Sequence, residues 1–178
     1  MEIINQLKSD IRDVKISTIL DGNELIQPNL KRLRKGNNRF FNQDYWKFIK
    51  EHKGKIITGS CALYAYGLLD RMPKDIDLIV DRNTFNPKKK LSKDRYPGMD
   101  SKLNVIGYYH DRGYNIDFFQ GSNEKYIEVD GFFFHDLFEI IDKKLEIYPH
   151  RERNDHKDIH DIIYILKKFN PDYSLNSY

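Results

Sequence analysis

Apolar residues recur along this chain in two rhythms. Near the start, Ile3, Ile4, Leu7, Ile11 and Val14 fall at helical spacing, which predicts an amphipathic helix over residues 2–20. A second helix is expected over 43–52, carrying Tyr45, Trp46 and Ile49. The rhythm then shortens. Residues 55–58 read as a short buried strand. Gly59 breaks it, and Ser60 offers an oxygen to cap a helix reaching about residue 69. Pro73 and Lys74 lead into residues 75–81, where acidic and apolar side chains alternate with the period of a strand. After a polar stretch with Lys88, Lys89, Lys90, Pro97 and Gly98, residues 105–109 and 114–119 predict two strands. A turn at Asp111, Arg112 and Gly113 joins them. Residues 126–134 add one or two shorter strands. Helical spacing returns over about 135–148 and 155–169, closed by Asn170 and Pro171.

The order predicts an α+β fold: a small mixed β-sheet core flanked by helices, with a C-terminal helical part. Three segments are expected. They are an N-terminal helical and basic segment over 1–53, the core over 54–134 and C-terminal helices over 135–178. At 178 residues the chain is long enough to bury a core without disulfides. Its one cysteine, Cys61, excludes an intrachain disulfide and fits a reducing compartment. No apolar run approaches a membrane span, and residues 1–5 lack a secretory pattern, so a soluble cytoplasmic protein is expected. The net charge of +3 is too small to prove nucleic-acid binding, so the distribution of charge carries more information.

The candidate chemistry lies where the short strand, the glycine turn and the acidic strand succeed one another. Residues two apart in a strand share a face, so Asp75 and Asp77 project together while Ile76, Leu78 and Val80 enter the core. Asp117, in the apolar run 114–119, can join them from a neighbouring strand. Three converging carboxylates repel unless a divalent cation lies between them. The plainer reading is an edge strand whose acids face water; taken alone, the two stand about even. Gly59 and Ser60 open a helix, where free backbone N–H groups suit a phosphate. A strand-to-helix turn of this composition is common in unrelated proteins, so it gains weight only from the acidic strand beyond it.

Together these residues resemble the DNA polymerase beta-like nucleotidyltransferase superfamily. Its signature is Gly-Ser at the head of a helix, an Asp-x-Asp strand, and a third Asp on a neighbouring strand. Here those are Gly59-Ser60, Asp75 with Asp77, and Asp117, within about residues 54–120. The run from Leu137 to Leu145, followed by Lys157, Asp158 and Asp161, is similar to the AbiE-type toxin nucleotidyltransferases. That resemblance implies that Lys144, or its neighbour Lys143, contacts the triphosphate and that Asp158 lies near the active centre. Catalytic residues would be Asp75, Asp77, Asp117 and Asp158, with Asp75, Asp77 and Asp117 as metal ligands. Gly59, Ser60 and Lys144 would bind the nucleotide.

The resemblance implies Mg²⁺, or Mn²⁺ in its place, with a nucleoside triphosphate such as ATP as substrate. A nucleoside monophosphate would pass to an acceptor hydroxyl. The tRNA 3′ end is the acceptor the toxin resemblance implies, and a cognate antitoxin would be a partner. A protein hydroxyl, a small molecule, or a catalytically silent nucleotide-binding module stay open. Pro73 stands where the family usually carries Ser or Thr, so one hydroxyl contact is missing.

Other features weigh less. The basic segments at 31–39, 88–90 and 150–153 could track phosphates, but each is more often a solvated loop. His135, His150, His156 and His160 form no zinc pattern. Cys61 reads as small packing beside the glycine turn.

Overall fold

The computed structural model describes residues 2–20, 26–34, 50–93, 104–111, 114–121, 123–150 and 156–175. Among them the chain forms α1 (Glu2–Leu20), α2 (Leu30–Arg34), β1 (Ile56–Thr58), α3 (Gly59–Tyr66) and β2 (Asp75–Val80). Then come β3 (Val105–Asp111), β4 (Tyr114–Gln120), β5 (Tyr126–Val129), β6 (Phe132–His135), α4 (Leu137–Ile147) and α5 (Lys157–Phe169). The fold is α+β, with five helices around a mixed sheet of six strands among the described residues.

The sheet order is β3-β4-β2-β1-β6-β5. Two antiparallel hairpins, β3–β4 and β5–β6, flank a central antiparallel β2–β1 pair. Each hairpin joins that pair through a parallel contact, β4 to β2 and β6 to β1. Asp130 and Gly131 turn the second hairpin with φ of 52° and 80°. Two consecutive positive φ values make the tight turn that matches the twist of short strands. That turn divides the run 126–134 into two strands.

Ile57, Leu78, Phe118 and Phe134 are each no more than 3% exposed and pair laterally across four strands. They are the apolar phase of the alternation, and one continuous cluster joins them to Leu7 and Ile11 of α1 and to Ile162 and Ile165 of α5. The N-terminal helix thus shares its core with the C-terminal helices.

Local details depart from expectation. The helix after Gly59 ends at Tyr66 and not near residue 69, because Gly67 N–H bonds back to the Leu63 and Tyr64 carbonyls. The basic segment at 31–39 hides a short helix, α2, whose Leu30 and Leu33 are buried. Its Arg32 donates from Nη1 to the Ala65 carbonyl at 3.0 Å, a cation placed on the C-terminal turn of α3. This arginine therefore supports a helix end. The helix expected over 43–52 lies outside the described residues except at its last positions.

Candidate functional site

β2 sits third in the sheet, so the edge-strand reading of its acids does not hold. Ile76 and Leu78 are buried at 1% and below, while Asp75 and Asp77 are half-buried on the other face. The parallel register places Asp77 beside Asp117 and Asp75 beside Asn115. Asp117 is fully buried. The same row continues through Thr58 on β1 and Tyr108 on β3. Laterally paired residues share a face, so three carboxylates and a threonine hydroxyl lie on one side of the sheet. Among the described residues, no three His, Cys, Asp or Glu side chains form a group that could hold a metal ion.

Thr58 extends the row to a residue that spacing alone could not reach. Its Oγ1 lies 2.8 Å from His135 Nδ1, and His135 Nε2 lies 2.8 Å from Glu139 Oε2. The carboxylate makes Nε2 the donor; Nδ1 accepts the Thr58 hydroxyl when the ring is neutral and donates to it when the ring is charged. His135 is 6% exposed, so it is a core histidine joining β6 to α4 and beside the site.

The glycine turn differs in detail from expectation. Thr58, in an extended conformation, is the residue preceding α3, and Ser60 already lies in the first turn. Ser60 therefore does not cap the helix. Gly59 has φ of +62°, and a Cβ there would overlap the Asp77 carboxylate, approaching its Cγ to 3.2 Å. Glycine is thus required twice over, for the backbone and for the room Asp77 occupies at the head of α3. Cys61 is buried and donates its thiol to the Asp75 carbonyl at 3.1 Å, consistent with a packing role.

Ser60 is bound to something the sequence does not announce. Arg71 reaches it with Nη2 at 3.0 Å. The same guanidinium grips Asp161 with Nε at 3.0 Å and Nη2 at 2.7 Å. Lys144 Nζ donates to Asp161 at 3.2 Å and to Asp158 at 3.0 Å. Asp158, Asp161 and Lys144 are 0%, 1% and 6% exposed. Ser60, Arg71, Asp161, Lys144 and Asp158 thus form one continuous polar chain from the head of α3 to α4 and α5. Of the two candidate lysines, Lys144 points inward, while Lys143 pairs with Glu146 at 3.1 Å near the surface.

Of the other basic segments, only residues 88–90 are described throughout. Arg151 and Arg153 lie outside the described residues. Lys88, Lys89 and Lys90 are exposed, and Lys89 pairs with Asp111 at 3.4 Å. A cavity of about 810 Å³ opens at the far end of the sheet, where β2 and β4 finish, and contains none of the candidate acids. No described helix is long and apolar enough to cross a membrane. Comparison with family models, with curated proteins and with solved structures finds no match.

Proposed function

We propose that the protein is a metal-dependent nucleotidyltransferase that moves a nucleoside monophosphate from a nucleoside triphosphate to an acceptor hydroxyl. The observation that carries this reading is the position of Asp77. It lies in register with Asp117 on the parallel neighbour and against Gly59 at the head of α3. Carboxylates for a hard cation and backbone N–H groups for a phosphate therefore adjoin.

The donor set fits Mg²⁺ in kind: oxygen ligands only, from Asp75, Asp77 and Asp117. When bound, such a cation supplies charge for the triphosphate and lowers the pKa of the acceptor hydroxyl. The remaining steps belong to the chain. The α3 N–H groups and the Ser60 hydroxyl hold phosphate oxygens. Arg71, fixed by Asp161, brings a guanidinium to the same seat. The acceptor oxygen bonds to the α-phosphorus and its proton passes to a carboxylate, with Asp117 in that role. The bond to the β-phosphate oxygen breaks, and pyrophosphate leaves with the electron pair. Lys144, already shared by Asp158 and Asp161, acts here as a positioning residue that orders the Asp161–Arg71–Ser60 chain. The acceptor proposed is RNA, the tRNA 3′ end in the toxin-like reading, with an antitoxin as the matching partner.

A silent nucleotide-binding module is the second reading. It is favoured by the buried pairing of Lys144 with Asp158 and Asp161, which already occupies the ammonium. Thermal unfolding with each nucleoside triphosphate, with and without Mg²⁺, is the test of binding. A ligand at about one hundred times its Kd adds roughly 2.7 kcal/mol of stability. A rise in Tm that needs both triphosphate and Mg²⁺ supports the site. No rise with any of the triphosphates contradicts both readings. A rise without transfer to any acceptor selects the silent module.

A further inference from the structure

Thr58 holds the position from which a helix is usually capped. Threonine is a preferred residue there, and its hydroxyl ordinarily accepts a backbone N–H of the first turn. Here, with φ of −130° and ψ of −175°, it makes no such bond to α3. Its Oγ1 turns instead to His135 Nδ1 at 2.8 Å, and the same ring reaches Glu139 Oε2 through Nε2 at 2.8 Å. A hydroxyl, an imidazole and a carboxylate in series are the elements of an activated nucleophile.

The base and its carboxylate are held in place. The Tyr66 hydroxyl donates to the His135 carbonyl at 2.9 Å, and the Lys125 N–H donates to Glu139 Oε2 at 3.1 Å. Asp136 caps α4 by accepting from the Phe138 and Glu139 N–H groups, each at 3.1 Å, which fixes the turn that carries Glu139. His135 is buried while Thr58 is half-buried, so the hydroxyl is the member of the series that faces a substrate.

What the hydroxyl meets is set by its neighbours. Thr58 is the partner of Asp77 in the β1–β2 ladder, and directly opposed side chains stand roughly 4.5–5.5 Å apart at Cβ. The head of α3 follows it in the chain. A phosphate on that helix end lies next to Thr58 and Ser60, and Ser60 already accepts from Arg71 at 3.0 Å. We propose that Thr58 is itself an acceptor: the chain transfers a nucleoside monophosphate to its own Thr58 hydroxyl, with His135 as the base. This rests on the transferase reading. Thr58 Oγ1 bonds to the α-phosphorus as its proton passes to Nδ1 of the neutral His135 ring. The bond from the α-phosphorus to the bridging oxygen breaks, and pyrophosphate leaves with the electron pair. Glu139 is a positioning residue, keeping Nδ1 turned to the hydroxyl and steadying the imidazolium. The phosphodiester so formed fills the seat at the head of α3.

The test is incubation of the full chain with α-labelled nucleoside triphosphates and Mg²⁺, without RNA, read as label on the protein in a denaturing gel. Label should come from the α-position and not from the γ-position. Trypsin releases residues 56–71 as one peptide, whose fragmentation should place the monophosphate on Thr58. Thr58→Val should abolish the label, and Thr58→Ser should keep it. His135→Asn should slow labelling about a hundredfold or more. Glu139→Gln still accepts from Nε2 but lacks the charge, so it should slow labelling about tenfold with little change in Tm. Before any nucleotide is added, nitrogen NMR shifts of the imidazole should show a neutral ring protonated at Nε2. Chains carrying the monophosphate should show no further rise in Tm with fresh triphosphate. If His135→Asn unfolds, the two Thr58 variants still report. Label on Ser60, label retained in Thr58→Val, label from the γ-position, or a charged His135 ring in the resting protein overturns the proposal. An unlabelled chain whose Tm still rises with triphosphate and Mg²⁺ overturns it and leaves the transferase reading standing. An unlabelled chain with no such rise removes both.

Discussion

Gly59 is the residue whose replacement separates the account from a generic turn. Its φ of +62° disfavours any side chain, and the Asp77 carboxylate fills the place a Cβ would take. Left-handed backbone costs an L residue roughly 1–2 kcal/mol, so Gly59→Ala should lower stability by at least that. It should also displace Asp77 and reduce transfer more than a hundredfold. Ser60→Ala should be milder, since Arg71 keeps both bonds to Asp161. Thermal unfolding and transfer rates on the same samples check both. A second residue-scale expectation concerns pH. Burial raises the Asp142 carboxyl above its ordinary value; Asp136 and Glu139 add to the rise, while Lys15 and Lys8 oppose it. The folded value exceeds the unfolded one, so this group's contribution is complete below the unfolded value and is lost as pH climbs through the folded one. Asp142 is exposed on α4, so solvent screens the effect; Asp142→Asn should gain under about 1 kcal/mol over wild type at neutral pH, and the gain should fade at about pH 3, below the usual carboxylate range. Urea midpoints at the two pH values decide it.

Between elements, the buried chain from Ser60 to Asp158 ties α3 to α4 and α5. Removing one partner of a buried ion pair leaves a charge without compensation, at roughly 3–5 kcal/mol. Lys144→Met should cost about that much, and Asp158→Asn in the same background should recover part of it. A loss below about 1 kcal/mol would mean that the lysine behaves as a surface group. The same polar chain divides what is legible in sequence from what is not. Asp158 and Asp161 lie on the buried stripe of α5 with Ile162 and Ile165, so two acids on an apolar face are a visible signal. Their partner Arg71 is not, because it lies 90 residues away from Asp161 and helical spacing says nothing about such a distance. The same limit hides the Thr58–His135 bond, which spans 77 residues. Ser60 has the chemistry of a cap, yet its hydroxyl goes to Arg71 and Thr58 takes the flanking position, so α3 starts earlier than residue type suggests. The helix α2 escapes a reading by composition because five residues rich in Lys and Arg look like a loop until Leu30 and Leu33 find the core.

Over the whole molecule, the period of two puts Asp75 and Asp77 on one face, and that much of the site is legible without any contact. The strand order is not, since β6 returns to pair with β1 across intervening β2, β3, β4 and β5. That order lets one polar row cross the sheet, Tyr108, Asp117, Asp77 and Thr58 by direct pairing. The measurement that tests the central claim most directly is transfer of label from an α-labelled triphosphate to RNA with Mg²⁺, compared between wild type and Asp77→Asn. The amide keeps the shape of the side chain and relieves carboxylate repulsion, so the fold should hold. The account predicts Mg²⁺-dependent labelling by the wild type, reduced at least about a hundredfold in Asp77→Asn, a loss of roughly 2.7 kcal/mol of transition-state stabilisation. Labelling by Asp77→Asn at the wild-type rate, or by wild type with Mg²⁺ removed, contradicts it.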